Sequence, residues 1–320
     1  MTCAILHHSL HRRTYKNAAV PMAINEILHL FPAAINPREA AIGNVPYLLF
    51  NHGETLAEND IALLSRLTFT HAIFDYTPPA LTPLNKTPNY LLDESLSALL
   101  KYAGKTNELF TRLLLHLAVQ NKPAPLNILD PLAGKGTTLY EALIHHHNAY
   151  GVEIDEKYPA EADQFLKKFL ETARIKHTTH KEKIHGASRY KIDIQRTNHF
   201  EIIQGDTRNT AIYFKKNFFD ALIADLPYGV QHASKAVKNK KPHSGFTRNA
   251  MGLLQEALPT WVKTLKPNGT LVLAWNTFLI SRGEMEALLT THGLILSNVP
   301  DFSHRVDQAI ERDVIVGVKV

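Results

Sequence analysis

The chain has little cysteine, no excess of glycine or proline, and no long apolar run. Its single cysteine among 320 residues, Cys3, excludes an intrachain disulfide and a cysteine-rich zinc site. Fifteen glycines and 17 prolines are near average usage, which excludes a collagen-like repeat. No apolar stretch approaches the roughly 20 residues of a membrane-spanning helix, and the amino terminus does not have the pattern of a secretory signal. We therefore expect a cytoplasmic protein with no membrane partner.

The composition is that of a globular protein. Hydrophobic residues make up 45% of the chain and charged residues 20%, which excludes a disordered chain. The net charge of +5 permits a polyanionic partner without requiring one, since it is spread over 320 residues. The placement of the basic residues is therefore more informative than their sum.

A proline-rich segment, residues 77–89, divides the chain into two regions. Its four prolines lack backbone donors and resist both helix and sheet, which predicts a linker. Ahead of it, apolar spacing predicts strands at residues 3–7, 45–50 and 71–76 and helices at residues 23–31 and 55–67. We expect residues 1–88 to form a small α/β module of unknown role and residues 89–320 to form a second domain.

Strands and helices alternate through the second region. A helix with one apolar stripe begins near Thr106 or Asn107. Strands follow at residues 126–129, 150–154, 200–203, 221–224 and 270–275, helices at residues 137–145, 159–176, 251–265 and 282–292, and an antiparallel pair closes the chain. This order predicts an α/β fold, Rossmann-like and doubly wound, with a mostly parallel seven-stranded sheet.

A glycine-rich loop, D-P-L-A-G-K-G-T-T at residues 130–138, joins the first of these strands to a helix. Glycines at such a turn let the backbone approach a ligand and turn amides toward it. Glu153 follows Gly134 by 19 residues, near the offset at which an acid binds a ribose in Rossmann-type folds. Asp155 is expected to cap the next helix.

Two familiar nucleotide loops do not fit this segment. A P-loop needs serine or threonine after its lysine, and here Lys135 is followed by Gly136. A dinucleotide loop needs a third glycine where Leu139 stands. A nucleoside without a pyrophosphate, such as S-adenosylmethionine, remains, as does a glycine turn without any ligand.

A second motif, D-L-P-Y-G at residues 225–229, follows another apolar strand. A carboxylate such as that of Asp225 accepts an N–H of an exocyclic base amine and makes the nitrogen lone pair available. Pro227 fixes the backbone so that the carbonyl of Leu226 can accept the second N–H, and Tyr228 can stack on an extruded base. The competing interpretation, a turn that ends a strand, is weakened because both motifs occur in order.

Other polar segments leave alternatives open. Asp206, in G-D-T after a further strand, is interpreted either as an acceptor for an adenine amine or as a cap. The basic residues 175–196 either face a nucleic acid or form a surface excursion. Residues 230–250 carry no acid, and we expect their five cations to contact phosphates, with a solvated surface loop as the alternative: Lys235, Lys238, Lys240, Lys241 and Arg248. Three consecutive histidines at 145–147 point about 100° apart on a helix and predict no metal site.

Together the two motifs resemble the class I S-adenosylmethionine-dependent amino-methyltransferases. The loop resembles the D-P-x-x-G-x-G-T cofactor loop of the tRNA and rRNA guanine-N2 methyltransferases, and D-L-P-Y-G resembles their catalytic motif. The closest likeness is to the tRNA guanosine N2-methyltransferases. The likeness covers roughly residues 92–300, and residues 1–88 show no recognisable RNA-binding THUMP domain. The resemblance implies catalytic roles for Asp225, Leu226, Pro227 and Tyr228. It implies S-adenosylmethionine contacts for Thr106, Asp130, Pro131, Ala133, Gly134, Gly136, Thr137, Thr138, Glu153, Ile154, Asp206 and Thr207.

The sequence thus predicts a methyltransferase acting on an exocyclic amine of a nucleobase in RNA, with guanine N2 in tRNA as the first expectation. A DNA adenine-N6 or cytosine-N4 methyltransferase is the second, because D-P-P-Y occurs in those enzymes. A non-catalytic RNA-binding paralogue is the third. Asp225 and the loop glycines favour an enzyme over that third alternative.

Overall fold

The computed structural model describes residues 1–7, 18–84, 88–101, 105–120, 122–228 and 250–320. Contacts divide the chain into two compact units. The first comprises Met1–Asn89 and Asn298–Val314, and the second comprises Tyr90–Ser297 and Ile315–Val320. Residues 298–314, which the sequence assigned to the second domain, therefore pack with the first unit. No helix of the described residues is long and apolar enough to span a membrane.

The first unit holds a five-stranded antiparallel sheet with the order β2-β3-β1-β4-β5. Its elements are β1 (Thr2–His7), α1 (Ala19–Leu30), β2 (Ile35–Ile42), β3 (Val45–Asn51), α2 (Glu58–Leu64), β4 (Thr70–Thr77) and β5 (Ala80–Pro83). β2 and β5 were not predicted. Both are edge strands and mostly exposed, so neither has an apolar alternation to detect. The predicted linker therefore begins as a strand, because prolines are tolerated at a sheet edge.

The second unit is built on a larger sheet with the order β13-β15-β12-β11-β6-β7-β10-β9-β8. Its strands are β6 (Asn127–Asp130), β7 (Asn148–Glu153), β8 (His177–Ile184), β9 (Ala187–Ile194), β10 (Asn198–Gln204), β11 (Phe219–Asp225), β12 (Leu265–Asn276), β13 (Leu294–Leu296) and β15 (Ile310–Lys319), of which residues 315–319 belong to this unit. β14 (His304–Asp307) pairs with the beginning of β15 among residues 298–314, which belong to the first unit. The contiguous strands β12, β11, β6, β7 and β10 are parallel. This confirms the Rossmann-like α/β prediction.

The sheet has more strands than the seven that the sequence predicted. The basic residues 175–196 form an antiparallel hairpin, β8 and β9, that extends the sheet beyond β10. In β9 the alternate residues Tyr190, Ile192 and Ile194 are buried. Charged residues alternate with them, which is the pattern of a half-buried strand, so β9 could have been predicted from the sequence. β8 is exposed over most of its length and carries no such pattern.

Helices pack against the sheet, and its parallel strands end at one common edge. They are α3 (Ser95–Leu99), α4 (Glu108–Val119), α5 (Thr137–Ile144), α6 (Tyr158–Thr172), α7 (Thr210–Tyr213), α8 (Ala250–Thr264) and α9 (Arg282–Thr291). α4 contacts β11 and β12, α5 contacts β6 and β7, and α6 contacts β9 and β10. Because β6, β7, β10 and β11 are parallel, their carboxyl ends share one edge. Ligands of open α/β sheets bind at that edge.

Candidate active site at the carboxyl edge of the sheet

Three carboxylates end neighbouring strands at this edge. Asp130 is the last residue of β6, Glu153 of β7 and Asp225 of β11. β11 and β7 are the two neighbours of β6 in the sheet, so the three carboxylates lie side by side. The structure thus brings the predicted loop and the predicted catalytic motif together.

Backbone hydrogen bonds fix the conformation of the loop after β6. Gly134 and Gly136 have φ of +52° and +92°, in the left-handed region that glycine adopts without strain. The Ala133 amide donates to the Val152 carbonyl at 3.0 Å, and the Gly136 amide donates to the Ala133 carbonyl at 2.8 Å. A Cβ on Gly136 would lie 3.1 Å from the ring of Tyr140. Both glycines are therefore required by conformation, and Gly136 also by space.

Glu153 ties the loop to β7. Its Oε2 accepts from the Gly134 amide at 2.7 Å, and its Oε1 accepts from the Asp155 amide at 2.8 Å. Burial raises the pKa of the Glu153 carboxyl, and the two amide donors counteract that rise. Asp155 accepts from the amides of Lys157 and Tyr158 at the start of α6, as predicted for a cap. The Ile154 side chain is 39% exposed beside Glu153.

Asp130 is buried beneath the loop. Its Oδ1 accepts from the Leu132 amide at 2.9 Å. Burial raises the pKa of this carboxyl to about 7, although hydrogen bonds from Thr138 and Leu132 favour the ionised form. Pro131, Thr137 and Thr138 are also buried. The predicted cofactor residues on either side of the glycines thus form the interior of the turn.

Asp206 has protein partners for its carboxylate. It caps a short turn by accepting from the Arg208 amide at 2.9 Å, and its Oδ2 pairs with Arg208 Nη2 at 2.5 Å. Burial raises its pKa, but the contacts with Arg208 outweigh this and hold the pKa below its usual value. Thr207 Oγ1 accepts from Trp261 Nε1 at 2.8 Å. The cap interpretation of Asp206 is thus confirmed, and an adenine contact stays a prediction.

The carboxylate of Asp225 is bound by two side-chain hydroxyls. Thr106 Oγ1 donates to Oδ2 at 2.7 Å, and the Tyr228 hydroxyl donates to Oδ1. Leu226 is buried, and its amide donates to the Ala274 carbonyl at 2.9 Å, which anchors the motif to β12. Pro227 and Tyr228 are half-buried.

Thr106 lies immediately before the cap of α4. Asn107 Oδ1 accepts from the Leu109 amide at 2.9 Å and from the Phe110 amide at 3.2 Å. Lys105, which directly precedes Thr106, donates from Nζ to Glu108 Oε2 at 3.0 Å. Sequence reasoning placed Thr106 near a cofactor and missed its contact with Asp225, because 119 residues separate the two.

Some predicted residues lie outside the part of the chain that the structure describes. These are Gly229 and the expected phosphate contacts Lys235, Lys238, Lys240, Lys241 and Arg248. Within the described ranges, no group of three or more histidine, cysteine, aspartate or glutamate side chains is arranged to hold a metal ion.

Comparisons with known proteins identify the fold. No protein-family model and no curated protein matches the sequence. Among solved structures, the chain is similar to TrmN from Thermus thermophilus, with a TM-score of 0.50 and 14% identity over 100% of this chain and 99% of that one. A TehB-like SAM-dependent methyltransferase from Corynebacterium glutamicum matches 65% of this chain and 87% of its own, at 17% identity and a TM-score of 0.38. The fold is therefore the Rossmann-like fold of the SAM-dependent methyltransferases.

Proposed function

We propose that this chain is an S-adenosylmethionine-dependent methyltransferase that modifies an exocyclic amine of a nucleobase in RNA, with guanine N2 in tRNA as the first expectation. The observation that carries the proposal is the Asp225 carboxylate at the end of β11, next to the glycine loop and held by two hydroxyls. The methyltransferase fold and the similarity to TrmN support the same assignment.

The residues of the loop fit the proposed cofactor. Nothing in the described structure lies within 4 Å of a Cβ built on Gly134, so the loop borders open space there. Glu153 holds this loop through the Gly134 amide, and each carboxylate oxygen has a second lone pair with which to accept from a ribose hydroxyl. Ile154 offers an exposed apolar surface beside it. S-adenosylmethionine supplies an activated methyl group when it is bound.

Asp225 prepares the amine. An exocyclic amine is a poor nucleophile because its lone pair is delocalised into the ring. A carboxylate oxygen that accepts one N–H favours a pyramidal nitrogen and takes or relays its proton. Oδ1 is the oxygen suited to this role, because the Tyr228 hydroxyl that now donates to it can rotate away with the ring. Oδ2 keeps Thr106 as its partner and holds the orientation of the carboxylate.

Pro227 and Tyr228 form the wall for the base. Pro227 fixes the backbone after the buried Leu226. The half-buried ring of Tyr228 can stack on an extruded base, an interaction worth about 1–3 kcal/mol in single-strand readers. The site thus needs no metal to activate the amine, since alignment and proton acceptance are supplied by side chains.

The proposal is tested by incubating the protein with methyl-labelled cofactor and, separately, with total tRNA, total rRNA and DNA, followed by nucleoside analysis. We expect label in N2-methylguanosine from tRNA. Label in N6-methyladenine or N4-methylcytosine from DNA identifies the second class of enzyme. Binding of tRNA without label in any nucleoside identifies a non-catalytic RNA-binding protein and overturns the proposal.

A further inference from the structure

The hairpin β8–β9 ends the large sheet with an exposed basic strand. β8 is last in the strand order, and its residues from Thr178 to Lys183 are all exposed. Basic residues dominate the hairpin and its flanks, against two acids, Glu182 and Asp193.

The two acids are neutralised on one face of the hairpin. Antiparallel register places Glu182 opposite Arg189, and residues opposite each other share a face. Glu182 Oε1 lies 2.6 Å from Lys191 Nζ and 3.2 Å from Arg189 Nη1. Asp193 Oδ1 lies 2.7 Å from His199 Nδ1.

The opposite face of the hairpin carries two lysines, and neither acid of the hairpin lies on that face. Lys181 stands opposite Tyr190 and Lys183 opposite Ser188, so both lie on the face that Glu182 does not share. Lys181 Nζ sits 4.9 Å from the centre of the Tyr190 ring. This cation–π contact places the Lys181 ammonium over the buried Tyr190 ring. Lys181 and Lys183 are nevertheless exposed, so both positive charges remain accessible.

This basic surface lies toward the edge that holds the candidate site. β9 pairs antiparallel with β10 so that Arg189 is opposite Ile203, and β10 pairs parallel with β7 so that Gln204 is opposite Glu153. The turn between β8 and β9 is therefore at the carboxyl edge. Five strand steps of about 4.8 Å separate β8 from β11, which puts the hairpin about 24 Å from Asp225 along that edge.

We propose that Lys181 and Lys183 bind the phosphate backbone of the RNA substrate at a distance from the nucleotide that enters the site. The inference rests on the proposed function and specifies that the substrate is a polynucleotide. A single nucleotide is too short to reach both the hairpin and Asp225. Phosphate contacts of this kind give affinity and orientation without recognising sequence.

The test compares two double variants of the full chain. Lys181→Gln/Lys183→Gln removes the hairpin charges. Lys215→Gln/Lys216→Gln removes two adjacent exposed charges that precede β11 and therefore lie at the opposite edge of the sheet. Binding of total tRNA is measured by fluorescence anisotropy over a series of KCl concentrations, and thermal unfolding of each variant checks that it is folded.

We expect the hairpin variant to bind tRNA on the order of tenfold more weakly. The slope of log K against log salt should become less steep by about 2, since each substituted lysine no longer neutralises a phosphate. The control variant should keep the wild-type slope. An unchanged slope in the hairpin variant, or an equal weakening in both variants, overturns the proposal and leaves these lysines as protection of an edge strand against pairing.

The outcome separates this inference from the proposed function. If the wild-type chain methylates tRNA and the hairpin variant binds it with the wild-type salt slope, only the hairpin inference fails. If the wild-type chain neither binds nor methylates RNA, the proposed function fails, and the hairpin inference fails with it.

Discussion

The glycine loop and the end of β11 lie at the same edge of one sheet but are stabilised differently. In the loop, carboxylates of Asp130 and Glu153 accept from backbone amides. At the end of β11, Asp225 accepts from the hydroxyls of Thr106 and Tyr228. A backbone amide cannot leave without deforming the chain, whereas a hydroxyl leaves by side-chain rotation. The first region is therefore preformed, and the second has an acceptor whose partner can be exchanged.

This difference separates the two tasks that the proposed reaction requires. A cofactor loop benefits from rigidity, because preorganised groups lose little freedom on binding. The acceptor for an incoming amine must instead be satisfied before the substrate arrives and released when it does. Variants of the second region should thus change turnover, while variants of the loop should change stability.

The largest effect is expected from Asp225→Ala, which removes the exchangeable acceptor. Methyl transfer should fall by about 10³-fold, within the range attributed to general base catalysis. Affinity for the cofactor should stay within severalfold of the wild type, because Asp225 is not part of the loop. Single-turnover transfer to the nucleic acid proposed as the substrate and calorimetric titration with the cofactor measure the two quantities.

Asp220→Ala is the matched control in the same strand. Asp220 accepts from the Asn127 amide at 2.9 Å and pairs with Lys266 at 2.6 Å, at the other end of β11. Its loss should lower stability and leave the transfer rate unchanged. Full activity of Asp225→Ala on the true substrate would refute the proposed mechanism.

The next effect is a change in how stability depends on pH, expected from Asp130→Asn. Since burial raises the pKa of Asp130 to about 7, this carboxyl favours folding while it is protonated, and that contribution is lost as pH rises through 7. Asparagine cannot ionise. As pH rises from 4 to 8, the free energy of unfolding of the wild type should therefore fall relative to that of the variant, by at most about 4 kcal/mol.

Urea unfolding across this pH range measures the difference between the two chains. Asp93→Asn is the control, because hydrogen bonds from Ser95 lower the pKa of Asp93. The contribution of Asp93 is therefore already present above its ordinary pKa and is lost only at lower pH, so the difference between this variant and the wild type should stay nearly constant over this range. A constant difference between wild type and Asp130→Asn at all pH values would show that Asp130 is already ionised in the folded chain, contrary to its burial.

The two regions also differ in how much of them the sequence could predict. Both motifs follow apolar strands, so their meeting at one sheet edge follows from the alternation of strands and helices. The bond from Thr106 to Asp225 could not be predicted, because it joins segments 119 residues apart and depends on where α4 packs. The strands β2, β5 and β8 were missed for a related reason. An exposed edge strand needs no buried face and so leaves no apolar alternation in the sequence.

A smaller loss of stability is expected from Gly136→Ala. The residue has φ of +92°, and a Cβ there would meet the Tyr140 ring at 3.1 Å. Holding alanine in this conformation costs about 1–3 kcal/mol. Gly283→Ala is the control, since Gly283 has no positive φ and nothing lies within 4 Å of its built Cβ. Equal stability of the two variants in urea would mean that the loop relaxes and is not rigid.

The smallest effect is expected from Thr106→Val, which keeps the shape of the side chain and removes its hydroxyl. Asp225 would keep its charge but lose the donor that orients Oδ2, so kcat should fall by about tenfold, equivalent to about 1.4 kcal/mol for one charge-assisted hydrogen bond. KM for the nucleic acid should change little, and Thr106→Ser should restore kcat because it restores the donor.

A purely structural role for Thr106 would instead lower the melting temperature of the valine variant and leave kcat unchanged. A cofactor contact would weaken cofactor binding in the same variant. The pattern of kcat, KM and cofactor affinity therefore shows whether Thr106 serves the exchangeable acceptor or the preformed loop.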